Sequence, residues 1–565
     1  MTIQRDKLNG WTLGVFSVSV VFLVSFAAPS SLWYDTAEFG AVSWRLSLSH
    51  PPGHPAHAVW THMVQMMFPF SDGLFRANVS SCIALALSLT VLFRLLRGLH
   101  ETASNFSLAA ASLTPLTVIA VVEQGIRSEV YAMQLLFSLL IAYACLDFYR
   151  TRDRRTWLIV AFLFGLAGAN HSYIAVTLLP IPLLFIFGRC CRLLDIVLGI
   201  GLGLIGLLLY LYLPLRAQSG GLVGWGNPSD VSSFWTTITG QEWARNLVPD
   251  ASGGNIGERI SLLGGYLSHQ IGLPFCIFGL ACAVVSIRTW ARKRDWVAVA
   301  ILIVVALPIG LRLGNAFDPQ NPDMGGYLAL SLVAIISLFV YATNGLLALR
   351  ANVLIVCGCL IIIVSSDGLD MMEIREDRAS ERYALALMDD MGPDGLLITG
   401  DYSTNFTCWS LQSIFSERPD LAVLFRGQMN RDWLRERAER THPRLKSILS
   451  KDPKQWTDPL IRWELGVQLE RLGSLRRQLR PDGLTAGIGR AWPSTDVHAA
   501  YFDVFNGASF AGRRFKALLH IHYLTQLMTS GGPKDLVTWH LRQAAALAEG
   551  DPLIDEARRR VSVYR

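Results

Sequence analysis

The chain has 565 residues, of which 52% are hydrophobic and only 17% are charged, and its mean hydropathy is +0.36. Soluble domains carry about 25% charged residues, so this composition excludes an ordinary soluble protein. The net charge of +6 is modest, and many basic residues lie in short turns between apolar runs, which argues against nucleic-acid binding. The nine cysteines follow no disulfide or metal-binding spacing.

Apolar runs long enough to cross a bilayer follow one another from Trp11 to about Ser366 and are absent afterwards. We therefore predict an α-helical polytopic membrane domain over residues 1–366 and a soluble domain over residues 367–565. About eleven transmembrane helices are predicted, at 11–29, 77–93, 106–122, 130–148, 157–170, 173–188, 194–214, 262–286, 296–311, 326–344 and 352–366.

Basic residues gather in the turns on one side of these spans, as in the stretches 150–155 and 288–294. An excess of Lys and Arg marks the cytoplasmic face, which predicts a cytoplasmic N-terminus. Residues 56–70 are short and contain two histidines, so we expect an amphipathic helix in the membrane interface there. An odd number of spans then places the C-terminal domain outside. We expect the chain to lie in a bacterial inner membrane, with this domain in the periplasm.

The predicted C-terminal domain begins with two short apolar strands that flank a helical segment. This order favours a parallel α/β unit over about 380–430. Helical periodicity dominates from about Lys454 onward, which predicts a helical part over about 454–565. The strands are predicted at 395–401 and 418–425, and helices at 409–415, 512–530 and 534–549.

Two carboxylates follow the first predicted span. Asp35 and Glu38 lie three residues apart, which places both on one face if the segment is helical. Two neighbouring carboxylates can divide acid–base roles between them. The same spacing is that of a capping box with Asp35 as N-cap, and the sequence leaves both interpretations open.

The segment His50-Pro-Pro-Gly-His54-Pro predicts a rigid turn that presents two histidines. A metal site built from His50, His54 and a carboxylate is one interpretation. No recognised ligand motif is matched, so we expect contacts to phosphate or sugar hydroxyls and no metal cofactor.

The string D-T-A-E-F-G from Asp35, followed by S-H-P-P-G-H-P from Ser49, resembles the first outer loop of a known family. These are the transmembrane O-mannosyltransferases that act on plexin-type receptor domains, together with their bacterial homologues. Further matching strings follow in the same order, each at an outer boundary of a predicted span. They are Ser128-Glu-Val-Tyr-Ala132, Gly165-Leu-Ala-Gly-Ala-Asn-His171, and Leu211-Tyr-Leu-Pro-Leu-Arg216 leading to Gly224-Trp-Gly-Asn-Pro228.

The resemblance covers most of residues 10–230 and implies the GT-C glycosyltransferase architecture. It implies transfer of a sugar, with a mannose-like hexose as the best guess, from a polyprenyl-phosphate-linked donor to a hydroxyl of a protein or glycan acceptor, with inversion. The general base would be Asp35, with Glu38 beside it. The departing phosphate would need cationic stabilisation. The candidates for that role are Arg216 first, then His171, His54 and His50.

Other polar residues at the outer boundaries are substrate-site candidates with structural alternatives. Arg216 is explained equally as an interfacial anchor, Glu129 as a helix-start charge, and Asn170 with His171 as a polar turn. The remaining candidates are Tyr131, Trp225, Asn227 and Asp323, of which Trp225 also reads as packing for a turn and Asp323 as solvent-facing.

A membrane transporter or lipid flippase is the second interpretation, and a catalytically inactive scaffold is a third. Transporters tend to show internal repeats and charges near the bilayer midplane. This chain shows no two-fold hydropathy symmetry and keeps its polar residues at the outer boundary, which favours a transferase.

Overall fold

The computed structural model is mostly helical. It describes residues 10–99, 103–187, 191–241 except 218 and 220, 256–272, 296–314, 321–343, 370–452, 455–464 except 457 and 459, 479–482, 485–488, 510–548 and 551–564, with isolated positions between 273 and 320. The first three helices are α1 (Gly10–Phe26), α2 (Thr36–Arg45) and α3 (Pro55–Met67).

The other helices of the N-terminal part are Gly73–Leu99, Asn105–Leu113, Ile119–Ile126, Val130–Thr151, Arg154–Leu178, Pro180–Phe187, Leu193–Leu207, Tyr212–Arg216, Val231–Ile238, Ile256–Ile271, Trp296–Gly314 and Asp323–Thr343. Those of the C-terminal part are Ala379–Asp389, Tyr402–Ser410, Asp432–Thr441, Lys446–Leu449, Phe510–Ser530, Lys534–Leu547 and Pro552–Ser562. Short 3-10 turns occur at Thr114–Thr117, Leu208–Leu211, Arg426–Gln428 and Pro443–Leu445, and a π-helical turn at Leu411–Phe415.

Several helices are long and apolar enough to cross a bilayer, as expected for an integral membrane protein. Within the described residues there are four, or five if two helices bent by 81° at Val118 count as one span. The four are Gly73–Leu99, Val130–Thr151, Arg154–Leu178 and Leu193–Arg216, and shorter apolar helices lie at Gly10–Phe26, Leu302–Gly314 and Asp323–Ile335.

The predicted total of eleven spans stays a prediction, because the span at 352–366 and much of 262–286 lie outside the described residues. The boundary predicted at residue 366 also lies outside them. The predicted break between the fifth and sixth spans is a kink at His171, whose φ of −150° and ψ of 93° are not helical.

Glycine allows two of these helices to pack at close range. A Cβ on Gly165 would lie 2.1 Å from the carbonyl oxygen of Gly203, and one on Gly206 would lie 2.7 Å from the carbonyl oxygen of Phe162. Small residues of this kind let membrane helices approach until their backbones touch. The helices Arg154–Leu178 and Leu193–Leu207 therefore form a tightly packed pair.

A five-stranded sheet lies in the C-terminal part, in the order β2-β1-β3-β5-β4. The strands are β1 (Leu396–Thr399), β2 (Ala422–Phe425), β3 (Ile461–Glu464), β4 (Leu479–Asp482) and β5 (Thr485–Ile488). Strand β1 pairs in parallel with β2 and β3, with Ile398 opposite Leu424 and Trp463, whereas β5 pairs antiparallel with β3 and β4. The predicted parallel strand–helix–strand unit is confirmed.

The expectation that helices dominate from about Lys454 is wrong at its start, because β3, β4 and β5 all lie between residues 461 and 488. Each strand has only four residues, too few for alternation to stand out against a helical period. The two predicted helices beyond this stretch are confirmed at Phe510–Ser530 and Lys534–Leu547.

The C-terminal part packs directly on the chain just before α2. The Ser380 hydroxyl donates to the Ser31 carbonyl (2.5 Å), and the Trp33 ring stacks on Phe515 at a centroid distance of 3.7 Å. The Tyr34 amide donates to the Ser403 hydroxyl at 2.9 Å. Three contacts within four residues therefore fix the segment that leads into Asp35.

Arg437 forms a second attachment between the two parts. Its buried guanidinium donates to the carbonyl oxygens of Ala217 (3.0 Å), Gly224 (2.8 Å) and Gly226 (2.8 Å). One cation supplies the hydrogen bonds of all three carbonyls, so its removal would leave all three without a donor. Arg437 thus holds the loop that carries Trp225.

We expect Arg437→Met to lower the melting midpoint by about 5 °C, because buried carbonyls left without donors cost about 2 kcal/mol or more. Thermal unfolding of the detergent-solubilised chain measures this. Arg440→Met, on the exposed side of the same helix, is the matched control and should melt like the native chain. Equal melting of the two variants would show that the attachment contributes no stability.

Candidate functional site

Helix α2 begins immediately after Asp35, but the carboxylates do not cap it. Asp35 occupies the N-cap position with φ −85° and ψ −9°, and its side chain makes no capping hydrogen bond. Glu38 is fully buried and accepts bonds from His50 instead. The capping-box interpretation therefore does not hold, and both carboxylates are available for other contacts.

The histidine turn (residues 50–55) closes over α2. Gly53 donates to the His50 carbonyl at 2.8 Å and has a φ of +95°, and a Cβ there would lie 2.7 Å from a Leu213 methyl group. Glycine is thus required at this position. The turn brings the His50 backbone N–H to 2.7 Å and its Nδ1 to 2.5 Å from the two Glu38 oxygens.

His50 lies between the two carboxylates. Its Nε2 is 3.8 Å from Asp35 Oδ2, while its Nδ1 pairs with Glu38. Burial lowers the pKa of His50, but Glu38 and then Asp35 outweigh it and raise that pKa to about 10. Burial raises the pKa of Asp35 to about 7, although the His50 cation opposes the rise. His50 is therefore a cation at neutral pH, and Asp35 titrates there.

His54 is held neutral by different contacts. Its Nδ1 lies 2.6 Å from the carbonyl oxygen of Asn170, so this nitrogen carries the proton and Nε2 remains an acceptor. Burial and the neighbouring His50 and His171 lower the pKa of His54 well below its usual value. Asn170 in turn donates from Nδ2 to the Val130 carbonyl.

These groups open onto a cavity of about 380 Å³, which is within the range of small-ligand sites. The predicted residues that line it are Asp35, His50, His54, Glu129, Tyr131, His171, Trp225 and Asp323. Residues that sequence reasoning missed also line it, among them Phe39, Tyr173, Arg312, Tyr327, Tyr402 and Phe406.

Arg312 is the most informative of the missed residues. It is 4% exposed, its guanidinium lies 4.2 Å from the Tyr327 ring centroid, and its Nη2 donates to the Tyr173 hydroxyl at 3.0 Å. In the described part of the chain no carboxylate forms an ion pair with it. A cation near the end of an apolar helix was the signal that could have identified it.

Buried ion pairs hold a second side of the cavity. Arg127 contacts Glu129 Oε1 at 3.1 Å and Asp323 Oδ1 at 2.9 Å. Asp323 is thus buried and paired, so the solvent-facing interpretation is wrong. Removing one member of such a group is strongly destabilising, which makes Arg127 the residue that positions both carboxylates.

Four predicted residues do not line the cavity. Glu38 lies behind His50, and Asn170 supports His54. Arg216 donates to the carbonyl oxygens of Leu46 (2.6 Å) and Arg45 (3.0 Å), so it satisfies the C-terminal end of α2. Asn227, the fourth, lies outside the lining.

Comparison with known proteins supports the family suggested by the sequence. Residues 35–193 match a family model described as the Protein O-mannosyl-transferase TMEM260 N-terminal domain. Protein O-mannosyl-transferase TMEM260 of Mus musculus is 23% identical over 466 residues, which are 75% of this chain and 64% of the mouse protein. The chain thus spans less than two thirds of that relative.

Two solved structures share the fold. ArnT from Cupriavidus metallidurans bound to undecaprenyl phosphate superposes with a TM-score of 0.54 and 12% identity, over 86% of this chain and 99% of ArnT. ArnT from the same organism in the apo state superposes with a TM-score of 0.50 and 12% identity, over 77% of this chain and 88% of ArnT. The resemblance to O-mannosyltransferases of the TMEM260 type and the GT-C fold are therefore both confirmed.

Asp35, Glu38 and His50 together also have the spacing of a metal site. One ligand atom from each lies within 4.8 Å of the others. Metal ligation requires a histidine nitrogen without its proton. The His50 cation carries one proton on Nδ1, which faces Glu38, and one on Nε2, which lies 3.8 Å from Asp35. A metal at Nε2 would have to displace the second proton, while the hydrogen bond to Glu38 could remain.

We expect Zn²⁺ or Mn²⁺ to show no His50-dependent binding to the chelator-treated chain at pH 7, because His50 keeps its proton up to about pH 10. Calorimetric titration of the native chain and of His50→Gln measures this, with His442→Gln as a control for a histidine outside the site. Binding that His50→Gln alone abolishes would place a metal at this cluster.

Proposed function

We propose that the chain transfers a hexose, with mannose as the first candidate, from a polyprenyl-phosphate-linked donor to a hydroxyl of a protein acceptor. One observation carries the proposal: a single cavity holds a carboxylate that titrates near neutral pH, Asp35, and a buried cation, Arg312. The reaction needs one group that removes a proton and one that stabilises a phosphate leaving group. The TMEM260 match over residues 35–193 supports the same class.

Asp35 is proposed as the general base and Glu38 as a positioning residue. The Asp35 side chain is 21% exposed. The Glu38 side chain is fully buried, and both of its oxygens accept hydrogen bonds from His50. A base must reach the acceptor hydroxyl, and of these two carboxylates Asp35 alone lines the cavity.

In the proposed reaction the acceptor oxygen gives its proton to the Asp35 carboxylate and bonds to the anomeric carbon. The bond from that carbon to the phosphate oxygen breaks on the opposite face, and its electron pair leaves with the polyprenyl phosphate. Attack opposite the leaving group inverts the configuration. A phosphate leaves as a stable anion, so the reaction needs a cation beside the leaving phosphate and does not need a general acid.

Arg312 is proposed for the phosphate in place of Arg216. A guanidinium presents a planar fork of donors that suits phosphate oxygens, and Arg312 lies against aromatic rings at the cavity wall. The donors of Arg216 are directed to the backbone of α2. The neutral His54 can add a hydrogen bond to a phosphate or a sugar without adding charge, and His171 lies beside it in the cavity.

The proposed setting is the bilayer of a bacterial inner membrane, with the N-terminus in the cytoplasm and the C-terminal part in the periplasm. The basic turns of the sequence support this orientation. ArnT, which shares the fold, was solved with undecaprenyl phosphate, and a lipid-linked donor would reach this cavity from among the apolar helices. No metal cofactor is proposed.

We expect Asp35→Asn to lower transfer by about a thousandfold, because general-base catalysis contributes about 10²–10⁴-fold. The assay is mass spectrometry of acceptor protein incubated with the purified chain and a mannosyl polyprenyl phosphate. In the native chain kcat/KM should rise with pH up to about 7, since Asp35 is protonated below its raised pKa, and fall near 10 as His50 loses its proton.

Glu38→Gln is the matched control for this experiment. It removes the main partner that keeps His50 protonated, so the alkaline limb should move to lower pH. The acid limb should move slightly below 7, because the Glu38 charge contributes to the raised pKa of Asp35. An active Asp35→Asn chain, or an acid limb near pH 4 in the native chain, would remove Asp35 as the base.

We expect Arg312→Gln to raise the KM for the donor about 10- to 100-fold, because hydrogen bonds to charged groups contribute about 1.5–3 kcal/mol. Arg312→Lys should recover part of the loss, since it restores the charge without the fork. Arg216→Gln is the comparison and should leave the donor KM within about threefold. A larger rise in the donor KM for Arg216→Gln than for Arg312→Gln would show that Arg216 binds the phosphate.

A further inference from the structure

The cavity has one wall that the membrane helices do not supply. Tyr402 and Phe406, both on the helix Tyr402–Ser410, line it together with Trp225. The Phe406 ring centroid is 6.0 Å from that of Trp225 and 5.7 Å from that of Tyr402. We call these three residues the aromatic wall.

Hydrogen bonds connect both sides of the aromatic wall to the segments that carry Asp35 and His50. Ser403, beside Tyr402, accepts a hydrogen bond from the Tyr34 amide, and Asp35 follows Tyr34 directly. On the other side, the Trp225 amide donates to the Leu48 carbonyl at 2.8 Å, two residues before His50. The wall therefore stands at a set distance from the groups that act on the acceptor hydroxyl.

Other residues that line the cavity come from different elements. Arg312, Tyr327 and His171 belong to apolar helices or to membrane-crossing ones. A lipid-linked donor would enter there, because its chain must stay in the bilayer. The aromatic wall is then the side left for the acceptor.

The chemistry of the wall indicates what it contacts. Rings of Trp, Tyr and Phe offer a large apolar surface, and the phenol of Tyr402 is its one ionisable group. Burial and the nearby Asp35 charge raise the pKa of Tyr402 well above its usual value, so the phenol keeps its proton and can donate to a carbonyl. A glycan acceptor has many hydroxyl groups, so a site for it would carry more hydrogen-bonding side chains beside the rings.

We propose that the aromatic wall is the acceptor subsite, and that it takes an extended polypeptide segment with a Ser or Thr hydroxyl between small or apolar neighbours. This rests on the proposed function and adds to it the part of the chain that selects the acceptor. Tyr402 is the specificity-determining residue, and Arg437 acts through Trp225 as a positioning residue, since it holds the carbonyls on both sides of that residue.

The test measures peptide binding separately from turnover. Asp35→Asn chains that carry Tyr402→Ala, Tyr402→Phe or no second change are titrated with nine-residue peptides bearing one central Ser or Thr and scanned flanking residues. Fluorescence anisotropy of the labelled peptide gives the affinity. Phe415→Ala is the matched control, because Phe415 is an exposed aromatic just after the same helix and does not line the cavity.

Tyr402→Ala should weaken the best peptides about tenfold, Tyr402→Phe about threefold, and Phe415→Ala not at all. In the otherwise native chain, Tyr402→Ala should raise the acceptor KM by the same factor and leave the donor KM within twofold. Arg437→Lys, compared with Arg437→Met, should recover part of the acceptor affinity.

Unchanged peptide affinity in Tyr402→Ala, no peptide binding by any chain, or an equal rise in the donor KM would each overturn the acceptor subsite. Binding of a free oligosaccharide that Tyr402→Ala abolishes would reassign the wall to a glycan. Peptides that bind at Tyr402 but receive no sugar from the native chain would leave the subsite intact and overturn the proposed function instead.

Discussion

The contact between Glu38 and His50 is the constraint on which the site depends. A buried carboxylate without a partner is very costly, so α2 and the histidine turn cannot separate without exposing or neutralising Glu38. The His50 backbone amide binds one oxygen and its ring binds the other, which fixes both the position of the turn and the rotation of the imidazole. Since Asp35 directly precedes α2 and His54 lies in the histidine turn, this contact also places those two residues.

The same contact explains why two neighbouring carboxylates behave differently. Glu38 takes the nearer nitrogen of His50 at 2.5 Å, and Asp35 is left 3.8 Å from the other one. The cation therefore offsets only part of the burial that raises the pKa of Asp35. The unequal sharing of one histidine thus leaves the pKa of Asp35 raised, as the proposed base requires.

The residues that could be predicted lie in the first outer loop, in the matching strings or, for Asp323, in a polar outer loop. Asp35 and His50 lie within one loop, and the order of short matching strings indicated their family. Arg312 stands alone in an apolar run, where a cation is a general signal of function, but no matching string surrounds it and the same position suits an interfacial anchor. Arg216 ends a recognisable string and is the predicted phosphate ligand, yet its contacts are with the end of α2. Tyr402 reaches the cavity only through tertiary packing, which no local pattern reports.

The attachment of the C-terminal part has a mechanical consequence. The Tyr34 amide is bonded to Ser403, and these residues are the immediate neighbours of Asp35 and Tyr402. A displacement of the helix Tyr402–Ser410 by an ångström would therefore move Asp35 as well, and catalytic geometry tolerates little misplacement of this size. The stacking of Trp33 on Phe515 resists such a displacement from the other side of the segment. The proposed base and the aromatic wall are thus linked through one hydrogen bond, so a segment that packs against Tyr402 would also bring its hydroxyl toward Asp35.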